Sequence, residues 1–265
     1  MSTDGGLLLA AAVLLPFAGM LFGMPAGGRH TQRIAFVVMP LGLAVAVGIA
    51  MTWLDGSGPV VYLLGGWAPP LGIALRADGP AVAMLLAVAG VVAGVGLFAR
   101  AEFDSPMGGE SRAAYSYWLL LLAVWGSLNL VLVSGDLFTL YVALELMTFA
   151  AVPLVCLSGS GETLRAALRY LLFALCGSVL YLLGAVLVFG AYGTLDIALL
   201  ARAVRPETSS WTALALMTGG LLAKTALFPL HIWLPPAHAG APAPASALLS
   251  GLVIKGSWFL AVRLW

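Results

Sequence analysis

The sequence predicts an all-α integral membrane protein of about eight transmembrane helices with a proline-broken seventh, and three observations carry that prediction. Hydrophobic residues make up 62% of the 265-residue chain and charged residues 9%, giving a mean hydropathy of +1.06. Soluble domains carry roughly 25% charged residues. The apolar residues fall into runs close to the roughly 20 residues that cross a hydrocarbon core about 30 Å thick. Pro229, Pro235 and Pro236 then interrupt the seventh run. A proline inside a spanning helix leaves backbone groups that protein or water must satisfy, so such breaks line hydrated cavities.

Taken in order, the runs place helices near 7–24, 34–54, 79–98, 115–133, 137–157, 168–190, 211–229 and 243–264, in a single transmembrane domain covering 1–265. The first run opens with MSTDGG, lacks a basic leader and is soon followed by another apolar run, so it reads as a retained helix. The connection 55–78 holds GG, PP and ADG, which predicts an external hairpin or irregular cap. Gly90 and Gly94 form a GxxxG pair in the third helix and predict close helix packing there. Arg29, Arg33, Arg100, Arg112, Arg165 and Arg169 fall on one side if every run crosses. By the positive-inside rule that side is cytoplasmic and the N-terminus lies outside, with Arg76, Arg202 and Arg205 opposite.

A net charge of +1 and the lack of a basic block argue against a nucleic-acid partner. Cys156 and Cys176 lie in apolar segments and read as packing residues, neither a disulfide framework nor a metal site. The histidines show no HxxxH spacing and no nearby carboxylate, so no metal is expected. No nucleotide, flavin or iron–sulfur motif appears, and no cofactor is expected.

The informative charges are the ones buried in the runs. Both lysines, Lys224 and Lys255, sit inside apolar segments, whereas the other ten basic residues are arginines, most of them near segment ends. Lysine changes protonation readily when buried and arginine does not, so the pattern points to proton handling within a membrane. Glu145 is the one carboxylate placed mid-run, and a charge at that depth costs roughly 2.5–3.5 kcal/mol on insertion scales. Such a residue faces a bundle interior or a water-filled cavity and has a partner. Asp136 stands at the mouth of the same helix, where a solvated cap competes with a functional role. His231 and His238 follow Lys224 at intervals of seven across the broken helix, and a neutral buried histidine suits a relay. His30 reads as solvated. The hydroxyls of Thr218, Thr225, Ser246 and Ser250 could hold intervening waters, and helix packing explains each as well.

The run KTALFPLHIWLPPAHAGAPAPASALLSGLVIK, preceded by GDLFTLYVALELM, resembles the antiporter-like subunit family shared by Mrp cation/proton antiporters, respiratory complex I and membrane-bound hydrogenases. YLLGGWAPPLGIALRADGPAVAML is similar to the D-type subunit of Mrp antiporters. The resemblance implies the first part of the antiporter-like fold, in a multi-pass protein of a bacterial-type plasma membrane. It matches Glu145, Lys224 and Lys255 to the family's proton-path residues and His231 to the histidine after the FPL break. It implies a proton-translocating subunit of a multisubunit Na⁺/H⁺ antiporter. The alternatives are a proton-pumping subunit of complex I or a hydrogenase, a translocase only within a redox complex, and a scaffold or half-channel subunit. Family members carry a second inverted repeat, so the expected partners are other membrane subunits, among them a chain supplying that repeat.

Overall fold

The computed structural model describes residues 2–3, 5–56, 58–103 and 111–265. It is nearly all helical. Six helices run without interruption at lengths that cross a membrane: α1 (Leu7–Ala26), α2 (Gly28–Asp55), α3 (Gly79–Glu102), α4 (Arg112–Val133), α5 (Leu137–Val155) and α6 (Gly161–Tyr192). A short α7 (Ile197–Ala203) leads to α8 (Thr208–Lys224), then α9 (Leu234–Gly240). The last span, Ala243–Leu264, is α10 (Ala243–Leu248) and α11 (Ile254–Leu264) joined by a widened π-turn at Leu249–Val253. Seven helices among the described residues are therefore long and apolar enough to cross; α8, with 17 residues, is shorter.

Side-chain caps set several boundaries more sharply than hydropathy does. Ser111 accepts from the N–H of Ala114, Ser160 from Thr163 and Asp78 from Ala81, so α4, α6 and α3 begin where a hydroxyl or carboxylate satisfies the first-turn donors. Helix α6 ends at Gly193, whose φ of 67° is the left-handed conformation that glycine adopts without penalty. Its 32 residues reach about 48 Å, well past an apolar core of about 30 Å. His30, Arg29, Arg33, Arg100, Arg165 and Arg169 consequently lie on helix ends rather than in connections.

The connection 55–78 holds an antiparallel hairpin, β1 (Val60–Leu63) paired with β2 (Ala74–Ala77). The N–H of Thr3 donates to the carbonyl of Val61 at 2.9 Å, and a bridge joins Leu75 to Ser134. A second bridge links Asp136 to Asp196. The N-terminus, the hairpin, the α4–α5 turn and the α6–α7 connection thus share one end of the bundle. At the other end the hydroxyl of Tyr115 donates to Met24 O at 2.7 Å, tying α4 to α1.

Helix α4 is the hub, packed against α1, α2, α3, α5 and α11. It buries Tyr117, Trp118, Leu121 and Trp125 almost completely. The outer faces carry exposed Leu14, Phe22, Leu97, Leu172 and Phe189, an apolar exterior suited to lipid. Pro16 removes the N–H that Ala12 O would accept within α1, and the Asn129 amide of α4 donates to that carbonyl instead at 2.7 Å. The GxxxG expectation fails within the chain: at Gly90 and Gly94 nothing among the described residues lies within 4 Å of where a Cβ would stand. Close approach occurs between α6 and α8, where Cβ atoms on Gly177, Gly184 or Gly220 would strike the partner helix's backbone. The residue pair in α3 has the spacing but faces outward, and spacing alone does not orient a helix face.

Candidate functional site

Lys224 is the last residue of α8, and how the helix ends there decides its surroundings. Ala226 adopts φ 56°, the N–H of Leu227 reaches back to Leu222 O at 3.1 Å, and that of Ala226 to Ala223 O at 3.3 Å. This pair of bonds is a Schellman closure, with alanine where glycine is the common choice. The residue before a proline avoids helical geometry, so Pro229 keeps the chain from resuming the helix. The span expected over 211–229 therefore stops five residues early. Trp233 donates from Nε1 to Ala223 O at 3.0 Å, a second and shorter bond to the carbonyl that Ala226 also engages, and its ring stacks on Tyr170 at 4.3 Å. Pro235 and Pro236 sit at the start of α9, where proline costs no hydrogen bond.

The break leaves the Lys224 ammonium at the negative end of a helix, inside the bundle, with the residue only 6% exposed. Its Nζ lies 3.4 Å from Glu145 Oε1 and donates to Thr148 Oγ1 at 2.8 Å. Glu145 and Thr148 are one helical turn apart on α5, so a single face presents both. The Thr148 hydroxyl donates a hydrogen bond to Leu144 O at 2.8 Å, which leaves its oxygen lone pairs facing the ammonium as acceptors. From α6, the Ser178 hydroxyl contacts the Glu145 carboxylate and lies 3.0 Å from Ala174 O. Ser178 follows Gly177, whose missing side chain lets α8 approach α6. The Glu145 side chain keeps 14% exposure, so the pair is buried without being sealed.

Residues 134–265 match the model of the NADH:quinone oxidoreductase/Mrp antiporter transmembrane family. The chain belongs to the antiporter-like membrane subunit family. The N-type subunit of NADH-quinone oxidoreductase from Desulforudis audaxviator is 36% identical over 223 residues, covering 83% of this chain and 43% of that protein. The D-type subunit of the Na⁺/H⁺ antiporter from Alkalihalophilus pseudofirmus is 32% identical over 262 residues, covering 97% and 52%. A chain of the Mrp complex from Dietzia sp. DQ12-45-1b superposes with a TM-score of 0.86 at 27% identity, over 99% of this chain and 48% of that one. The antiporter-like chain thus spans about half the length of the curated relatives it matches.

Within this antiporter-like chain the remaining sequence-singled residues are dispersed around the pair. Asp136 caps α5, accepting from the N–H groups of Phe138 at 3.0 Å and Thr139 at 2.8 Å. His231 lies in the unwound segment, half-buried, with Nδ1 enclosed and without a hydrogen-bond partner among the described residues. His238 Nδ1 is 2.6 Å from the Ser246 hydroxyl, one of the four hydroxyls expected to matter. Thr225 Oγ1 lies 3.1 Å from Ser257 Oγ, which joins the end of α8 to α11. Thr218 instead accepts from Trp265 Nε1 at 3.1 Å, and Ser250 is exposed. Lys255 follows the π-turn by two residues and is exposed, with no ion pair or hydrogen bond among the described residues. No direct hydrogen bond among the described residues connects Lys224, His231, His238 and Lys255. Thr148, Ser178, Trp233 and Ser257 were missed by the sequence reading. Thr148 stands one turn from Glu145, but a hydroxyl at that spacing is no signal by itself, and nothing in the sequence marked the others.

Proposed function

We propose that this chain is a proton-translocating subunit of a multisubunit monovalent cation/proton antiporter, with Glu145 and Lys224 as the switching pair. The observation carrying the reading is the 3.4 Å contact between these opposite charges in apolar helices, each charge also held by a hydroxyl of α5 or α6. A buried charge without its partner favours the neutral form, so separating the pair ejects a proton from the ammonium and invites one onto the carboxylate. His231 in the unwound segment, His238 in α9 and Lys255 beyond the π-turn supply further titratable groups, and the Thr225–Ser257 hydroxyl contact links the end of α8 to α11. Asp136, whose carboxylate is occupied as a helix cap, serves to fix the mouth of α5. Sodium as the exchanged cation fits the Na⁺/H⁺ antiporter chain among the relatives. A second reading, a proton-pumping subunit of a redox complex, draws on the 36% identity to the N-type chain of a quinone oxidoreductase. In either reading the exposed Lys255 face is covered by another membrane subunit, and the six-arginine end lies in the cytoplasm with the N-terminus outside.

The test is cation-driven proton exchange in vesicles containing the native assembly. Glu145→Gln and Lys224→Ala each lower the rate by more than about tenfold, while the assembly still forms. Lys224→Arg fails equally, because a guanidinium keeps its proton at working pH. Wild-type rates in the Gln and Ala variants would refute the switching pair. Redox-coupled pumping without cation exchange would favour the second reading.

A further inference from the structure

A cavity of about 420 Å³ opens at the hairpin end of the bundle, between α6, α7, α8 and α11. Leu200, Val204, Leu214 and Met217 give it an apolar lining. Its rim is different in kind. Arg205 lines it and is exposed, Trp211 beside it is exposed in the first turn of α8, and the Tyr192 and Ser210 hydroxyls meet at 2.6 Å. Tryptophan at the end of a spanning helix marks headgroup depth.

The charges at that rim are unbalanced. Arg263 also lines the cavity, but its guanidinium is taken up by Asp78 at 3.3 Å and by Leu132 O at 3.1 Å. Arg205 and its neighbour Arg202 form no ion pair among the described residues, and neither does the adjacent Glu207. One cationic side chain at headgroup depth above an apolar slot matches the two ends of a phospholipid with a net negative headgroup. A protein helix is a poorer occupant, since 420 Å³ holds only about one turn of a cylinder roughly 10 Å across. A small soluble anion would leave the apolar lining unused.

We propose that this groove binds an anionic phospholipid, with an acyl chain in the slot and the phosphate on Arg205. The placement gives such a lipid a route to the ion pair. Leu137, the first residue of α5, lines the cavity eight positions before Glu145, and Met217 of α8 lies seven positions, about two turns, before Lys224. An occupied groove therefore wedges against both helices that carry the pair and sets their spacing. That regulatory consequence rests on the proposed function; the binding itself does not.

The assembly containing the chain is purified in mild detergent, stripped of loosely held lipid and offered phosphatidylglycerol or phosphatidylcholine, and the retained lipid is measured by native mass spectrometry. The wild type retains phosphatidylglycerol over phosphatidylcholine by about fivefold, the preference expected of one basic residue at the headgroup layer. Arg205→Ala brings that ratio close to one and Arg205→Lys restores most of it. Ala201→Trp, which fills the slot, loses both lipids. A photo-crosslinker at position 201 of an otherwise wild-type chain yields a lipid adduct in native membranes, a readout independent of how the filled variant folds. Equal retention of the two lipids by the wild type, an unchanged preference in Arg205→Ala, or a polypeptide adduct at position 201 would each overturn the proposal. An assembly that binds the lipid but exchanges no cations would leave this site standing while refuting the antiporter reading.

Discussion

Lys224, in the last turn of α8, is held by two unlike partners: the carboxylate of Glu145 and the hydroxyl of Thr148. Only the first was legible in the sequence. A charge inside an apolar run is conspicuous because lipid penalises it, which is why Glu145 and Lys224 stand out without any structural knowledge. Thr148 and Ser178 do not, because a hydroxyl in a helix can satisfy itself on the carbonyl one turn back, as both do here on Leu144 and Ala174. Which hydroxyls also face a charge depends on helix rotation, and the sequence does not contain that. Thr148 is the place to test the distinction. Thr148→Val keeps the shape and removes the acceptor of a 2.8 Å bond from an ammonium, a contact worth about 1.5–3 kcal/mol. Thermal unfolding in detergent should show a loss of that order, with Thr148→Ser close to wild type. An unchanged midpoint in Thr148→Val would mean that the ammonium does not depend on this hydroxyl.

Among the elements, the spanning helices and the hairpin in 55–78 follow from hydropathy and turn residues, whereas the way helices meet does not. Gly90 and Gly94 carry the recognised spacing yet face open space, while Gly177 and Gly220, on different helices, touch backbone to backbone. A contact made by one glycine from each of two helices leaves no periodic trace in either. The end of α8 shows the same limit. Its prolines announce a break, but the stop at Lys224 is set by the left-handed turn at Ala226 and the capping Trp233, neither of which has a sequence signature. Gly220→Ala and Gly94→Ala separate the two kinds of glycine. The first forces a methyl group into Gly177 O and should cost at least about 1–3 kcal/mol, seen as a lower unfolding midpoint. The second meets nothing and should be neutral or stabilising by up to about 1 kcal/mol, since alanine is the better helix former. Equal effects would show that α6 and α8 do not pack as described.

At the scale of the whole molecule, apolar side chains cover the outer faces and the arginines gather at helix ends, a distribution that sets the chain in a bilayer. His30 is exposed at the six-arginine end, whereas its neighbour Thr31 is fully buried, bonded to Gly23 O and Gly27 O. His30→Cys should therefore react with a membrane-impermeant thiol reagent only from the cytoplasmic side, and labelling from outside would invert the orientation. Lys255 breaks the apolar pattern. It is exposed inside an otherwise apolar span, with Ser250 and Gly251 also exposed one turn before it. Lipid tails cannot solvate an ammonium, and leaving one there costs roughly 2.5–3.5 kcal/mol, so protein or water must cover this face in the working assembly. The outer face of α6 at Leu172 is apolar toward the helix middle, where Val179 and Leu183 are exposed, and its one nearby charge, Arg169, lies a turn nearer the helix end, from where a guanidinium can reach the headgroups. Photo-crosslinkers at positions 250 and 172 in native membranes distinguish these surroundings. Position 250 should give a polypeptide adduct and position 172 lipid adducts alone. A lipid adduct at both would mean that Lys255 tolerates the bilayer unaided, and the case for a second subunit against α11 would fall with it.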